Sequence, residues 1–510
     1  MVRIGIATLL AGFWAVGGVW GDSLSQTIDR HIQARLTAEK IPVSPRASDA
    51  EFLRRVYLDL VGTIPPKEKA VAFLNSSDPK KRSKLIDELL ASPGFGRHRA
   101  DIWDNLLFQR STDNRGVRPD SLTQWLEEKF NANTPWNTLV TELLTAKGSQ
   151  EENGATTFFL GTQSANKMVD SISRLFMGVR LECAQCHNHP FTGWKQTEYW
   201  GMAAFFMKVR IEGNPRNQKD ATKTPSVIES NRGRQRNLSE SAKVVPPKFF
   251  QGEAPDVTGV AELRPIFARW LTSPENKFFA RAFVNRVWSE LFGRGIVNPV
   301  DDMNEDREVT HPELLDELAR GFAASGFDVK GLYRAICNSE VYQRTSKPVA
   351  GNESDQTLYS HMPIKVLTPE QLYDSLTAVL GEPAGGRQAN RPMGNPMRQG
   401  GTAREQFVNF FAVSADAKAT DYDAGIPQVL RLMNHSFTNR NTEQAVRRLT
   451  KGLTKSRAIE ELYLTALSRR PTPAEVARMI KYLEKAESLD AGYADILWTL
   501  LNSSEFTLNH

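Results

Sequence analysis

The stretch Phe278-Phe279-Ala280-Arg281-Ala282-Phe283-Val284-Asn285-Arg286-Val287-Trp288-Ser289-Glu290-Leu291-Phe292-Gly293 decides the fold class. Phe279, Phe283, Val284, Val287, Trp288, Leu291 and Phe292 recur at intervals of three and four, the spacing that gathers side chains on one face of an α-helix. Ser273-Pro274 supplies a start signal upstream. Gly293 supplies the stop, because glycine adopts the left-handed conformation that ends helices without penalty.

The same punctuation recurs along the chain. Thr134-Pro135 opens Trp136 to Lys147, and Gly148 closes it. Thr310-His311-Pro312-Glu313, Thr368-Pro369-Glu370-Gln371 and Thr472-Pro473-Ala474-Glu475 each read as a capping box, in which the lead hydroxyl accepts from otherwise orphaned backbone N–H groups. Strand-like alternation is scarce. The expectation is a mainly α, multi-helical chain of two helical domains, 22–210 and 248–510, joined by a flexible polar, basic loop at 211–247. That loop carries Asn231-Arg232-Gly233-Arg234-Gln235-Arg236 and few large apolar residues, so it cannot bury enough surface to order itself. Residues 382–405, rich in Gly, Pro, Arg and Asn, read as an excursion between helices. Tyr57-Leu58 before Pro65 and Tyr463-Leu464 before Pro471 share their spacing, as two helix-turn-helix units would.

Of the 510 residues, 40% are hydrophobic and 24% charged, the balance of an ordinary globular chain, and the net charge of +5 is too weak to point to nucleic acid. Three cysteines cannot staple a chain of this length. Cys337, in Leu332-Tyr333-Arg334-Ala335-Ile336-Cys337, reads as a buried small hydrophobe. The other two carry chemistry. Cys183-Ala184-Gln185-Cys186-His187 has the C-x-x-C-H spacing of a c-type haem attachment site: two thiols to bond the vinyl groups and an adjacent imidazole as proximal iron ligand.

The N-terminus gives that motif a compartment. Arg3 precedes an uncharged run from Ile4 to Trp20, and Val19-Trp20-Gly21 suits a signal peptidase, so residues 1–21 read as a signal peptide cleaved before Asp22. The body is expected to be exported, to the periplasm or cell envelope, with no membrane span after cleavage. Haem c attachment takes place outside the cytoplasm.

Zinc is the main rival. Cys183, Cys186, His187 and His189 are four N/S donors of the right type, and a site built on Cys183, Cys186 and His189 with one remote residue stays open. A redox or structural disulfide is the third reading. His189, two residues from His187, cannot reach the opposite face of the same iron, and is expected to orient a propionate or cap the next turn. Met202, Met207 and His98 are the leading distal candidates, with His311 and His435 behind them. Tyr199, Trp200, Phe205 and Phe206 would wall a haem or build ordinary core. Asp301-Asp302 and Glu305-Asp306 near His311 are expected to pair with Arg281, Arg286 or Arg294. Glu51, Arg54, Arg55 and Asp59 fit pairs on a helix surface. No Walker loop, Rossmann fingerprint or nucleophile elbow occurs.

Two long segments carry a resemblance. Phe52-Leu53-Arg54-Arg55-Val56-Tyr57-Leu58-Asp59-Leu60-Val61-Gly62-Thr63-Ile64-Pro65, Lys81 to Leu90, and Cys183 to Phe206 with Trp194-Lys195-Gln196 resemble the planctomycete cytochrome-c-like domain of the second type. Phe279 to Trp288, Leu291-Phe292-Gly293-Arg294-Gly295, His311 to Asp316, Gly326-Phe327-Asp328, Thr368 to Leu372 and Leu432-Met433-Asn434 resemble its usual partner, a planctomycete-type C-terminal domain of unknown function. Phe411-Ala412-Val413-Ser414-Ala415 stands where some relatives have a close cysteine pair. The resemblance implies an exported c-type haem protein in electron transfer, or a non-catalytic scaffold whose Cys/His cluster is structural. The redox partner is left open; in the scaffold reading the C-terminal helical domain and the basic loop would serve assembly or surface glycans.

Overall fold

Helices dominate, and the computed structural model describes residues 13–108, 117, 119–213, 224–230, 238, 240–381, 402–411 and 436–510. The mainly α reading holds. Phe279–Phe292 is a helix ending at Gly293 (φ 69°), as its spacing requires. It begins later than Ser273-Pro274 suggested. Asn276 instead accepts from the backbone N–H groups of Phe278 and Phe279 through its side-chain oxygen and starts the helix there. The boxes at Thr368 and Thr472 form, each with its reciprocal side-chain and backbone hydrogen bonds. The one at Thr310 does not: His311 is the N-cap without a side-chain cap, because the Thr310 hydroxyl donates to the Ile296 carbonyl.

Two compact units interleave along the chain, on boundaries different from 22–210 and 248–510. One comprises Met1–Val43, Arg99–Tyr342 and Val349–Ser360; the other comprises Ser44–His98, Gln343–Pro348 and His361–His510.

The first unit is centred on aromatic packing. Trp136 lies 4.4 Å from Phe283 and 4.6 Å from Trp103 between ring centroids, and Phe176, Phe279, Phe322 and Phe327 extend the stack. A small antiparallel sheet stands beside it: β1 (Gly148–Ser149), β2 (Val209–Glu212) and β3 (Ser226–Glu229), in the order β1-β3-β2. The segment read as a wholly flexible loop therefore contains a strand. Val227 is fully buried, and Glu229 forms a buried ion pair with Arg264, which anchors the strand. The Asn231–Arg236 run lies outside the described residues.

The second unit has an aliphatic core of Leu376, Ile459, Leu462, Leu497 and Leu501 among others. Its helices Asp49–Val61 and Lys67–Asn75, and Lys455–Leu467 and Pro473–Leu483, are the two helix-turn-helix units behind the repeated Tyr-Leu…Pro spacing. Arg54, Arg55 and Asp59 are buried rather than displayed on a helix surface. Arg55 does pair with Glu51, at 2.8 Å, but Asp59 pairs with Lys365 and Arg54 donates to backbone carbonyls. β4 (Lys365–Val366) pairs antiparallel with β5 (Leu508–Asn509).

Candidate functional site

The chain reaches the Cys183–His187 motif through a tightly reversed approach. A helix, Ala165–Ile172, passes into a π-turn, Ser173–Met177, and Gly178 (φ 65°) reverses direction. The left-handed conformation calls for glycine there, while a Cβ would meet only the movable end of the Met303 side chain, at 2.5 Å. The motif then forms a short 3-10 helix, Glu182–Gln185. Leu181 and Ala184 bury their side chains and tether it from beneath, while Cys183, Cys186 and His187 are exposed. Cys183, Cys186 and Cys337 form no disulfide, and Cys337 is buried, as its setting predicted.

The two histidines differ in what their nitrogens hold. His187 Nδ1 lies 2.7 Å from the Asn188 carbonyl oxygen. A carbonyl only accepts, so Nδ1 carries the proton and the Nε2 lone pair is left for a metal. His189 Nδ1 accepts from the backbone N–H groups of Phe191 and Thr192 at 3.3 and 3.2 Å. Its lone pair on that nitrogen caps the turn, and its backbone N–H donates to the Trp194 carbonyl.

One face of the helix Gln196–Ala204 supports the motif. The Gln196 Nε2 amide donates to the carbonyls of Gln185 and Cys186, both at 3.0 Å, and the Trp200 indole donates to the Gln185 carbonyl at 3.0 Å. Ser241 donates to the same carbonyl, its hydroxyl 3.2 Å from the Gln185 oxygen and 3.6 Å from Cys186 Sγ. Sequence reasoning had not singled out Gln196 for a role of its own, and it missed Ser241 altogether. Ser241 sits in a polar segment that offers no periodic signal.

Behind this face Tyr199 donates to Asp170 Oδ1 at 2.8 Å. Burial pushes the Asp170 carboxyl up to about 7 against the lowering effect of the tyrosine hydrogen bond. Tyr199 is driven further up than its ordinary value, first by burial and then by the Asp170 charge.

Met202, Tyr199, Trp200, Phe205 and Phe206 are fully buried, so these aromatic side chains pack as core. Met207 is half-buried in the turn after the helix. His98 belongs to the second unit and packs against Gly62. His311 is buried with Nδ1 3.1 Å from the Thr310 hydroxyl, and His435 lies outside the described residues. Asp301 pairs with Arg286 and Arg174, Asp302 with Arg307, and Arg281 with Asp316, so the acidic run near His311 is structural. Among the described residues no group of three or more His, Cys, Asp or Glu side chains is arranged to hold a metal ion.

The donor set fits a haem on its anchoring side: two free, exposed thiols on one turn and an exposed imidazole nitrogen with its lone pair oriented by a second-nitrogen hydrogen bond. It offers no ready distal ligand from Met202, whose side chain is in the core.

Residues 27–211 match the family model PSCyt2, described as a protein of unknown function (DUF1549). Residues 263–483 match the model PSD1, described as a protein of unknown function (DUF1553). No curated protein and no solved structure matches the chain.

Proposed function

This chain carries a PSCyt2 domain followed by a PSD1 domain, and we propose that it is an exported c-type haem protein of the periplasm or cell envelope that transfers electrons. The observation that carries the reading is the pairing of free, exposed Cys183 and Cys186 with His187, whose Nδ1 is engaged and whose Nε2 is not.

Cys183 and Cys186 would form the two thioethers, and His187 Nε2 would ligate the iron. The bound group would supply one-electron redox chemistry, with a potential set by axial ligation and burial. The protein's part is to hold the thiols outward, to keep the imidazole in the Nδ1–H tautomer, and to exclude water from beneath the turn with Ala184 and Leu181. Residues 1–21 would direct export. Among the described residues no helix is long and apolar enough to cross a membrane.

Periplasmic expression alongside a cytochrome c maturation system tests the reading. A red protein that keeps its haem through denaturation and acid-acetone extraction supports it. A colourless protein with stoichiometric zinc overturns it and leaves the structural, binding-protein reading of the Cys/His cluster. The His187→Ala variant should lose the low-spin spectrum or fail to mature, whereas His189→Ala should keep the attached haem.

A further inference from the structure

Gln196 holds the end of the motif and the residue that follows it at three points. Its side-chain amide donates to the carbonyls of Gln185 and Cys186, and its backbone N–H donates to Asn188 Oδ1 at 3.0 Å. His187 is the residue bracketed between these attachments, and like Cys183 and Cys186 it is exposed to solvent. The Gln185 carbonyl meanwhile receives the Trp200 indole and the Ser241 hydroxyl as well.

Water would satisfy the last carbonyls of an exposed 3-10 turn at little cost. Here a buried amide and a fully buried indole are committed to them instead. Such donors fix position, since neither can follow the turn if it moves.

We propose that Gln196 is the positioning residue of the motif, with Trp200 and Ser241 as its auxiliaries: it clamps the Gln185–Cys186 peptide so that Cys186 and His187 face outward at a set spacing from Cys183. The inference deepens the haem reading and rests on it for its purpose, but the clamp itself exists in the unloaded chain. A geometry held before attachment brings both thiols and the imidazole to one flat ligand without the cost of ordering the turn.

The test uses the full chain, reduced and unloaded, with Gln196→Met, which keeps length and loses the donors, and Ser241→Ala, which leaves the helix face intact. Iodoacetamide labelling resolved by peptide mass spectrometry reads Cys183 and Cys186 separately. The loss of two hydrogen bonds should raise the Cys186 rate about tenfold in Gln196→Met. A smaller rise at Cys186 is expected in Ser241→Ala, with Cys183 changing little in either variant and the urea midpoint close to the parent's. Equal changes at both cysteines, or none at Cys186 in either variant, overturn the clamp. A parent that never takes up haem defeats the function reading alone, because the labelling arm is read without it. If haem attaches, Gln196→Met should lower the matured fraction, and Gln196→Asn, whose amide is one methylene shorter, should rescue it only in part.

Discussion

The Arg54 guanidinium donates to the Phe506 carbonyl at 2.7 Å and lies 5.5 Å from the centre of the Phe506 ring, joining residues 452 apart in sequence. A second donor of the same group reaches the Ala466 carbonyl at 3.1 Å. Burial lowers the Arg54 pKa to about 10, so the side chain stays charged at neutral pH and depends on these acceptors. Arg55 reaches the Arg344 and His510 carbonyls, and Asp59 accepts from Lys365 and Asn509. The helix Asp49–Val61, part of the PSCyt2 match, is thus completed by the C-terminal end of the chain.

Replacing Arg54 with methionine is expected to cost about 3 kcal/mol, since two buried carbonyls lose a charged donor. Urea unfolding measures it. A chain ended at residue 248 should be insoluble or molten, because Arg54, Arg55 and Asp59 would lose their partners together. A folded, cooperative fragment would contradict this.

Gly62 ends the same helix at φ 74°, and a Cβ there would stand 2.5 Å from His98 Nδ1. Gly62→Ala should destabilise by at least about 1–2 kcal/mol from the left-handed conformation alone. Displacement of the His98 ring adds to that. A melting curve unchanged from the parent's would count against the contact.

His311 makes the first unit sensitive to acid. Burial lowers its pKa to about 4, with the Arg35 and His31 charges acting in the same direction against Asp355 and Glu313. The unfolded chain therefore binds the proton first as pH falls. Stability is full above about 6.5 and is lost towards about 4, by about 3 kcal/mol in all. In His311→Gln the difference between urea midpoints at pH 7 and pH 4.5 should shrink accordingly.

Asp170 acts in the opposite window. Its folded value is raised to about 7, so its contribution is present below the unfolded value of 3.8 and is lost as pH rises through neutrality. Asp170→Asn should hold its stability from pH 6 to pH 8 better than the parent does. Parallel pH profiles for the two proteins would show that the carboxyl is already ionised in the fold.

Much of this was legible along the chain. The three-and-four spacing of Phe279 to Phe292 and the Thr-Pro boxes at 368 and 472 depend on contacts within a few residues, and they formed where the pattern put them. The Cys183-x-x-Cys186-His187 motif was equally local. What failed depended on distant partners. Thr310 gave its hydroxyl to Ile296 instead of its own helix, and Arg54 and Asp59 went to buried partners hundreds of residues away. The strand Ser226–Glu229 appeared inside a polar segment because Arg264 holds Glu229 from outside it.

By itself, then, the sequence determined the helical class, the family pair and the chemistry available at residues 183–187, since each is written in near-neighbour spacing. Only the tertiary structure decided that the helix at 49–61 is completed by the C-terminal residues and that Met202 is core. It also decided that Gln196, Trp200 and Ser241 converge on one carbonyl. Hydrogen bonds and burial depend on distance in space, and spacing along a chain does not encode which remote groups will meet.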